Sequence, residues 1–248
     1  MSAQYVAFSG GADSTALTLL CPDAVPIFTD TGWEFPELYA HIARFEEVTG
    51  RAVVRVKNEK FPGGLPEIIR HKRFLPNHGA RFCTPMAKIE PMNAFLASRL
   101  PAELLIGLRA DEPERAGNLT DMDGLTIRYP LREQGLTRLD VIRICAEHDL
   151  LPRYPVYMAR GGCTGCFYKR KGEVQAMAAL VPEVLDRLQE LEEAVQDERG
   201  AYFHMFPNVG MSIADLRKQP LLMDPAEVYA QAADKSDMGA ACGLFCNR

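Results

Sequence analysis

Short apolar runs alternate with amphipathic stretches along the first 150 residues. "YVAF" (5–8) and "AVPIFT" (24–29) have strand length, and the periodic segment between them begins near Asp13 and ends before Pro22, as a helix does. "FPELYAHIARFEEVTG" predicts a second helix stopped by Gly50, and "AVVRVK" (52–57) a third strand. A helix over roughly 86–99 leads into a fourth strand, "ELLIGL" (103–108), and "TRLDVIRICAEHDL" (137–150) carries apolar positions on one helical face. This order predicts an α/β fold with a doubly wound, mostly parallel, Rossmann-like sheet. From Pro152 the texture changes to Gly/Cys loops. A helix follows from Pro182 to about Arg199, with Val184, Leu185, Leu188, Leu191 and Val195 on one stripe. The expected division is an α/β domain over 1–157 and a C-terminal cysteine-containing helical region over 158–248 packed on it. There is no internal repeat or low-complexity linker.

The first strand-to-helix turn, "SGGADS" (9–14), sits where such sheets bind ligands. Glycines there let backbone N–H groups approach an anion. Ser9, Ser14 and Thr15 add hydroxyl donors, and the helix N-terminus adds positive dipole. The turn is neither GxGxxG nor GxxxxGK[ST], because no lysine follows the glycines. A capped tight turn is the bland alternative. Asp30, ending the second strand, suits a ribose or adenine contact or a helix cap. Arg109, after the fourth strand, suits a fork onto phosphate or sulfate, or an ion pair with Asp111 or Glu112.

Composition narrows the class. The chain has 248 residues, 47% of them hydrophobic, and a formal net charge of −5. It can bury a sizeable core and is not coated in positive charge for non-specific nucleic-acid binding. Two local basic runs remain, "IIRHKR" (68–73) and "KRK" (169–171), and a nucleic-acid substrate with local contacts would account for both. "MSAQYVAF" lacks a basic region followed by a long apolar run, and no window approaches about 20 apolar residues, so a cytoplasmic protein without a membrane partner is expected. Seven cysteines in such a setting argue for metal binding or catalysis rather than a disulfide framework. Cys163 and Cys166 form CxxC in a glycine-bearing loop, a geometry that serves zinc or an iron–sulfur cluster. Cys21 and Cys145 fall in apolar helical segments and read as packing residues. The five histidines form no HxxxH or HExxH group and are given no role.

"SGGADS" resembles the SGGxDS loop of the PP-loop ATP pyrophosphatases, and further segments resemble the phosphoadenosine-phosphosulfate reductase branch in the same order: "FTDTGWEFPELYAHI" (28–42), "RFCTPMAKIEPM" (81–92), "IGLRADEPERAG" (106–117), "YPLREQGLTRLDVIRICAEHDLLPRYPVY" (129–157) and "GGCTGCFYKRKGE" (161–173). The resemblance implies an adenine nucleotide alpha hydrolase fold that binds ATP and Mg²⁺, cleaves between the α and β phosphates and adenylates a substrate. It implies nucleotide contacts from Ser9, Gly10, Gly11, Asp13, Ser14, Thr15, Asp30, Gly107 and Arg109. Catalytic roles fall to Asp13, Ser9, Arg109 and Lys88, with Arg81 near a cluster and Arg115 weaker.

Iron–sulfur members of the branch ligate a 4Fe-4S cluster with a cysteine pair in the segment resembling "RFCTPMAKIEPM" and a later CxxC. Here Phe82 replaces the first of that pair, which leaves Cys83, Cys163 and Cys166, with Cys246, or else Cys242, as a fourth ligand and zinc as the alternative metal. The tail "ACGLFC" only partly resembles the reductases' "ECGLH" stretch, with Ala241 for the acid and Phe245 for the histidine. The expected activity is ATP-dependent adenylation and sulfur transfer to tRNA, DNA or a small-molecule acceptor, supplied by a sulfur donor protein, in a chain that could form a homodimer. The alternatives are a phosphoadenylyl-sulfate or adenylyl-sulfate reductase and a non-catalytic nucleotide-binding redox sensor.

Overall fold

The computed structural model describes residues 2–115, 122–158, 161–199 and 203–219. Its centre is one sheet of five strands, β1 (Ala3–Ala7), β2 (Val25–Thr29), β3 (Val54–Val56), β4 (Ala102–Leu105) and β5 (Leu125–Arg128), in the order β3-β2-β1-β4-β5. All four pairings are parallel, with Tyr5 opposite both Val25 and Leu104. The strand order reverses at β1, so the carboxyl ends of β1 and β4 flank the crevice where open α/β sheets bind ligands. This is the α/β architecture expected from the sequence.

Helices cover both faces, and the period-two alternation of β1 decides which residue meets which. On one face Val6 joins Ala16 and Leu17 of α1 (Ala12–Leu20) and, beside them, Phe8 joins Leu38, Ile42 and Phe45 of α2 (Pro36–Thr49). On the other face Tyr5 and Ile27 pack against Met92 and Leu96, beyond α3 (Leu65–Lys72), on α4 (Glu90–Ala97). After the short α5 (Pro130–Glu133), α6 (Arg138–Glu147) returns to the first face with Val141 and Cys145 buried, its start fixed by a Thr137–Asp140 capping box.

The helix expected over roughly 86–99 is divided. Pro85–Ile89 is a π-helical turn, and the α-helical register begins at Glu90. Pro91 has no N–H to donate and its ring crowds the carbonyl four residues back, so the α register is interrupted there. Sequence reading also missed α3, β5, α5, α7 (Lys171–Leu180) and α9 (Ile213–Lys218). In α3 the basic run had hidden an amphipathic helix: Ile68 and Ile69 are fully buried, while Arg70, His71 and Lys72 stay exposed in its last turn.

The expected late helix is present as α8 (Pro182–Arg199), and of its stripe Leu185, Leu188, Leu191 and Val195 are buried and Val184 is partly buried. That stripe, with Val174 and Met177 of α7, packs onto Ile68 and Ile69 of α3 and onto Trp33 and Phe35. Glu192, buried among them, accepts backbone N–H bonds from Met205 at 2.7 Å and Ile213 at 2.8 Å, tying α9 to α8. No helix among the described residues is long and apolar enough to cross a membrane.

Candidate active site

The loop after β1 is closed on itself. Ser14 Oγ donates to Gly11 O at 3.0 Å and accepts from Ser9 N at 3.1 Å; Ser9 Oγ lies 3.1 Å from Ser14 Oγ and accepts from Gly11 N at 3.4 Å. Gly10 turns the chain at φ +72°, and a Cβ there would lie 2.6 Å from Leu38 Cδ1, so both conformation and space call for glycine. Two side chains that sequence reading passed over brace this loop. Tyr154 OH donates to Gly10 O at 2.6 Å, and His41 Nε2 lies 3.1 Å from Thr15 Oγ1. Burial pushes the His41 imidazole down to about 4, which keeps it neutral near pH 7. The helical spacing of Thr15 and His41 on α1 and α2 gave no signal, because the pairing is made by packing.

Asp13 and Arg109 meet across the crevice. Arg109 Nη1 donates to both Asp13 carboxylate oxygens at 2.9 Å, Nε donates to Asp111 Oδ1 at 2.9 Å, and Nη2 lies 3.5 Å from Glu112 Oε1. Glu112 in turn pairs with Arg115 at 3.0 Å. The fork that sequence reading offered to phosphate is therefore aimed at three acids, and only 5% of Arg109 is exposed. Burial raises the Asp13 carboxyl above its ordinary value, and Arg109 pulls the other way. Gly107 lies against the Asp13 backbone. Asp30 accepts from Gly32 N at 2.8 Å and Tyr39 OH at 2.6 Å and pairs with Lys57 at 3.0 Å, so it orders the turn after β2.

Two recesses open at this edge. One, of about 360 Å³, is lined by Phe8, Ser9, Thr29, Glu34, Leu38, Lys88 and Gly162. The other, of about 430 Å³, is lined by Thr31, Arg81, Cys83, Thr84, Lys88, Cys163, Cys166, Phe167 and Tyr168. Lys88, 7% exposed, borders both. The CxxC loop is seated on the loop after β2: Glu34 and Cys163 form an isolated antiparallel bridge, and Thr164 N donates to Trp33 O at 2.8 Å. Cys163 Sγ lies 3.5 Å from Thr31 Oγ1 and 3.7 Å from Glu34 Oε1. Gly165 rests on the Trp33 indole, where a Cβ would come within 2.5 Å of Cη2.

Cys83, Cys163 and Cys166 thus share one recess although they lie far apart in sequence. Among the described residues no group of three or more His, Cys, Asp or Glu side chains is placed to hold a metal ion. Cys242 and Cys246 lie outside the described residues. In donor chemistry the recess fits a thiolate-bound cluster, since three sulfurs and two cations, Arg81 and Lys88, line it. Burial pushes the Cys145 thiol up to about 12, and Cys145 Sγ lies 3.4 Å from Ala12 O, as a packing residue would. Cys21 departs from expectation: it is the half-buried C-cap of α1 rather than a residue inside the helix. Lys169 departs too. It is 5% exposed, donates to Tyr157 O at 3.2 Å, lies 3.6 Å from Glu173 and sits 4.6 Å from the centre of the Phe35 ring, so it is no part of a solvated basic face.

The chain is similar to several known proteins. The sequence model of the family described as phosphoadenosine phosphosulfate reductase domain matches residues 3–122. An uncharacterized protein of Methanocaldococcus jannaschii is 30% identical over 114 residues, which is 43% of this chain and 23% of that protein, so the chain spans less than a quarter of that relative's length. An uncharacterized 37.8 kDa protein of Escherichia phage 186 is 27% identical over 254 residues, covering 77% of this chain and 74% of its own. A solved phosphoadenylyl-sulfate reductase from Candida auris superposes with a TM-score of 0.45 at 14% identity, over 60% of this chain and 73% of that one. The family match spans the turn after β1, the crevice and Cys83, and over residues 3–122 the chain is similar to the phosphoadenosine phosphosulfate reductase domain.

Proposed function

We propose that this chain is an ATP-dependent enzyme that adenylates an acceptor with release of pyrophosphate and then directs sulfur to the adenylated position. The observation that carries the reading is Lys88, a buried cation bordering both the recess at Ser9 and the recess of the three thiols. A cation shared by two such recesses can neutralise phosphate on one side and thiolate on the other, which lets two anionic partners sit close together.

The residues divide the work. The N-terminus of α1 and the loop N–H groups other than those of Ser9 and Gly11 cradle the phosphates, and the hydroxyls of Ser9 and Ser14 hold the loop in shape. Arg109 positions Asp13, which would be the carboxylate that holds Mg²⁺, an ion that would supply positive charge at the phosphates. An acceptor oxygen attacks the α-phosphorus, the bond to the β-phosphate oxygen breaks, and pyrophosphate leaves. A sulfur nucleophile then attacks the adenylated carbon and the carbon–oxygen bond breaks with release of AMP. Cys83, Cys163 and Cys166 would hold an iron–sulfur cluster, whose chemistry when bound is to carry or deliver sulfur at low charge cost.

The test is product analysis of ATP turnover with Mg²⁺ under anaerobic conditions. AMP and pyrophosphate in equal amounts are expected. Release of ADP and phosphate overturns the reading, and sulfite release from an adenylylated sulfate without ATP hydrolysis replaces it with reduction.

A further inference from the structure

At the rim of the thiol recess three rings adjoin. Phe167 and Tyr168 lie 4.3 Å apart at 35°, and His78 meets them edge-on at 5.2 Å and 4.9 Å. Arg81 places its guanidinium 5.7 Å from the Tyr168 ring centre. Phe167 is buried and anchors the group, Tyr168 is half-buried, and His78 is exposed. Phe167 and Tyr168 also line the recess that holds Cys83, Cys163 and Cys166.

Exposed cations flank the rings along the sequence. Arg70, His71, Lys72 and Arg73 are exposed, and the five residue steps from Arg73 to His78 reach at most about 18 Å. Exposed Arg170 and Lys171 follow Tyr168 in sequence, after the buried Lys169. Cations alone would serve any acidic partner. Ring faces beside a guanidinium add attraction for one class in particular, flat π-systems joined by a phosphate backbone.

We propose that His78, Tyr168 and Arg81 form a stacking platform for an unpaired base of single-stranded nucleic acid, which presents its adjoining atoms to the thiol recess. The proposal rests on the functional reading above for the chemistry that follows, and it names the acceptor class for that site. A duplex keeps its bases stacked on one another, so the platform selects single strands, loops and ends.

The experiment is fluorescence anisotropy of the full chain with a short labelled oligothymidylate and with an abasic strand of equal length, across a salt series. Tyr168→Ala is expected to weaken oligothymidylate binding by roughly tenfold, and His78→Ala by several-fold, the range for a lost base–aromatic stack. Tyr168→Phe keeps the ring face and is expected to bind as the unaltered chain does. The abasic strand should bind the unaltered chain as weakly as oligothymidylate binds Tyr168→Ala. His78 is exposed, so its variant separates a lost contact from a lost fold. Equal affinity for the two strands overturns the proposal, as does unaltered affinity in both alanine variants. An acidic polypeptide that binds with the same Tyr168 dependence would also overturn it, in favour of a protein partner. ATP turnover on the same preparations, without strand, keeps the two readings apart: stacking with no AMP formation fails the enzyme reading alone, and AMP formation with no stacking fails the platform alone.

Discussion

Arg109 Nη1 holds both carboxylate oxygens of Asp13 at 2.9 Å across the point where the strand order reverses, joining the helix after β1 to the loop after β4. A buried pair of this kind contributes less than its geometry suggests, whereas removing one partner strands the other charge. Arg109→Ala is therefore expected to cost about 3–5 kcal/mol in urea unfolding, and Asp13→Asn placed in that background to recover most of the loss. Additive losses in the double variant would show that the two side chains are not coupled.

The loop after β1 gives a kinetic expectation under the proposed function. Ser9 Oγ, on a partly buried residue, shapes the backbone donors together with the Oγ of the buried Ser14. Ser9→Ala should lower AMP formation by roughly a hundredfold or more, the scale of a lost transition-state contact, while the unfolding midpoint changes little.

His41 supplies a pH dependence with a definite sign. Its folded value is pushed down to about 4 from an ordinary 6.5, so the unfolded chain takes up the proton first. The contribution of His41 is complete above about pH 6.5 and is lost as pH falls toward 4. His41→Gln retains a partner for Thr15 and removes the titration. The difference in stability between the two proteins should shift across that window and stay constant above it, as thermal unfolding over a pH series will read.

The three thiols make a compositional expectation. Anaerobically prepared protein should contain iron and sulfide, and Cys83→Ser, Cys163→Ser or Cys166→Ser should each remove most of it, while Cys145→Ser should not. Zinc without sulfide would replace the cluster with a structural metal and remove the sulfur-carrying half of the proposed mechanism.

Gly165 and Trp33 offer an optical check, because the chain has one tryptophan. Gly165→Ala forces a methyl group toward the indole, and the backbone or the ring has to yield. A loss of about 1–3 kcal/mol and a shift in tryptophan emission are expected, with the thiol loop displaced as a consequence. Unchanged emission would show that the loop does not rest on Trp33 in solution.

The α/β alternation was legible along the chain, because continuous apolar runs of strand length and amphipathic helices differ in period and are set locally. The sequence also marked the tight loop after β1, since Gly10, Gly11, Ser9 and Ser14 lie within one turn. What Arg109 does became fixed in the packed fold. Its fork could meet a phosphate or an acid, and the choice fell to the packing that buries Asp13, Asp111 and Glu112 around it. Lys169 and Arg170 are neighbours in one basic run, yet one is buried over Phe35 and the other exposed, because the entry into α7 turns successive side chains to different sides. The support given by His41 and Tyr154, the sharing of Lys88 between two recesses and the gathering of Cys83 with Cys163 and Cys166 all join residues distant along the chain. Such contacts exist only once the sheet has brought its loops to one edge, and no local periodicity encodes them.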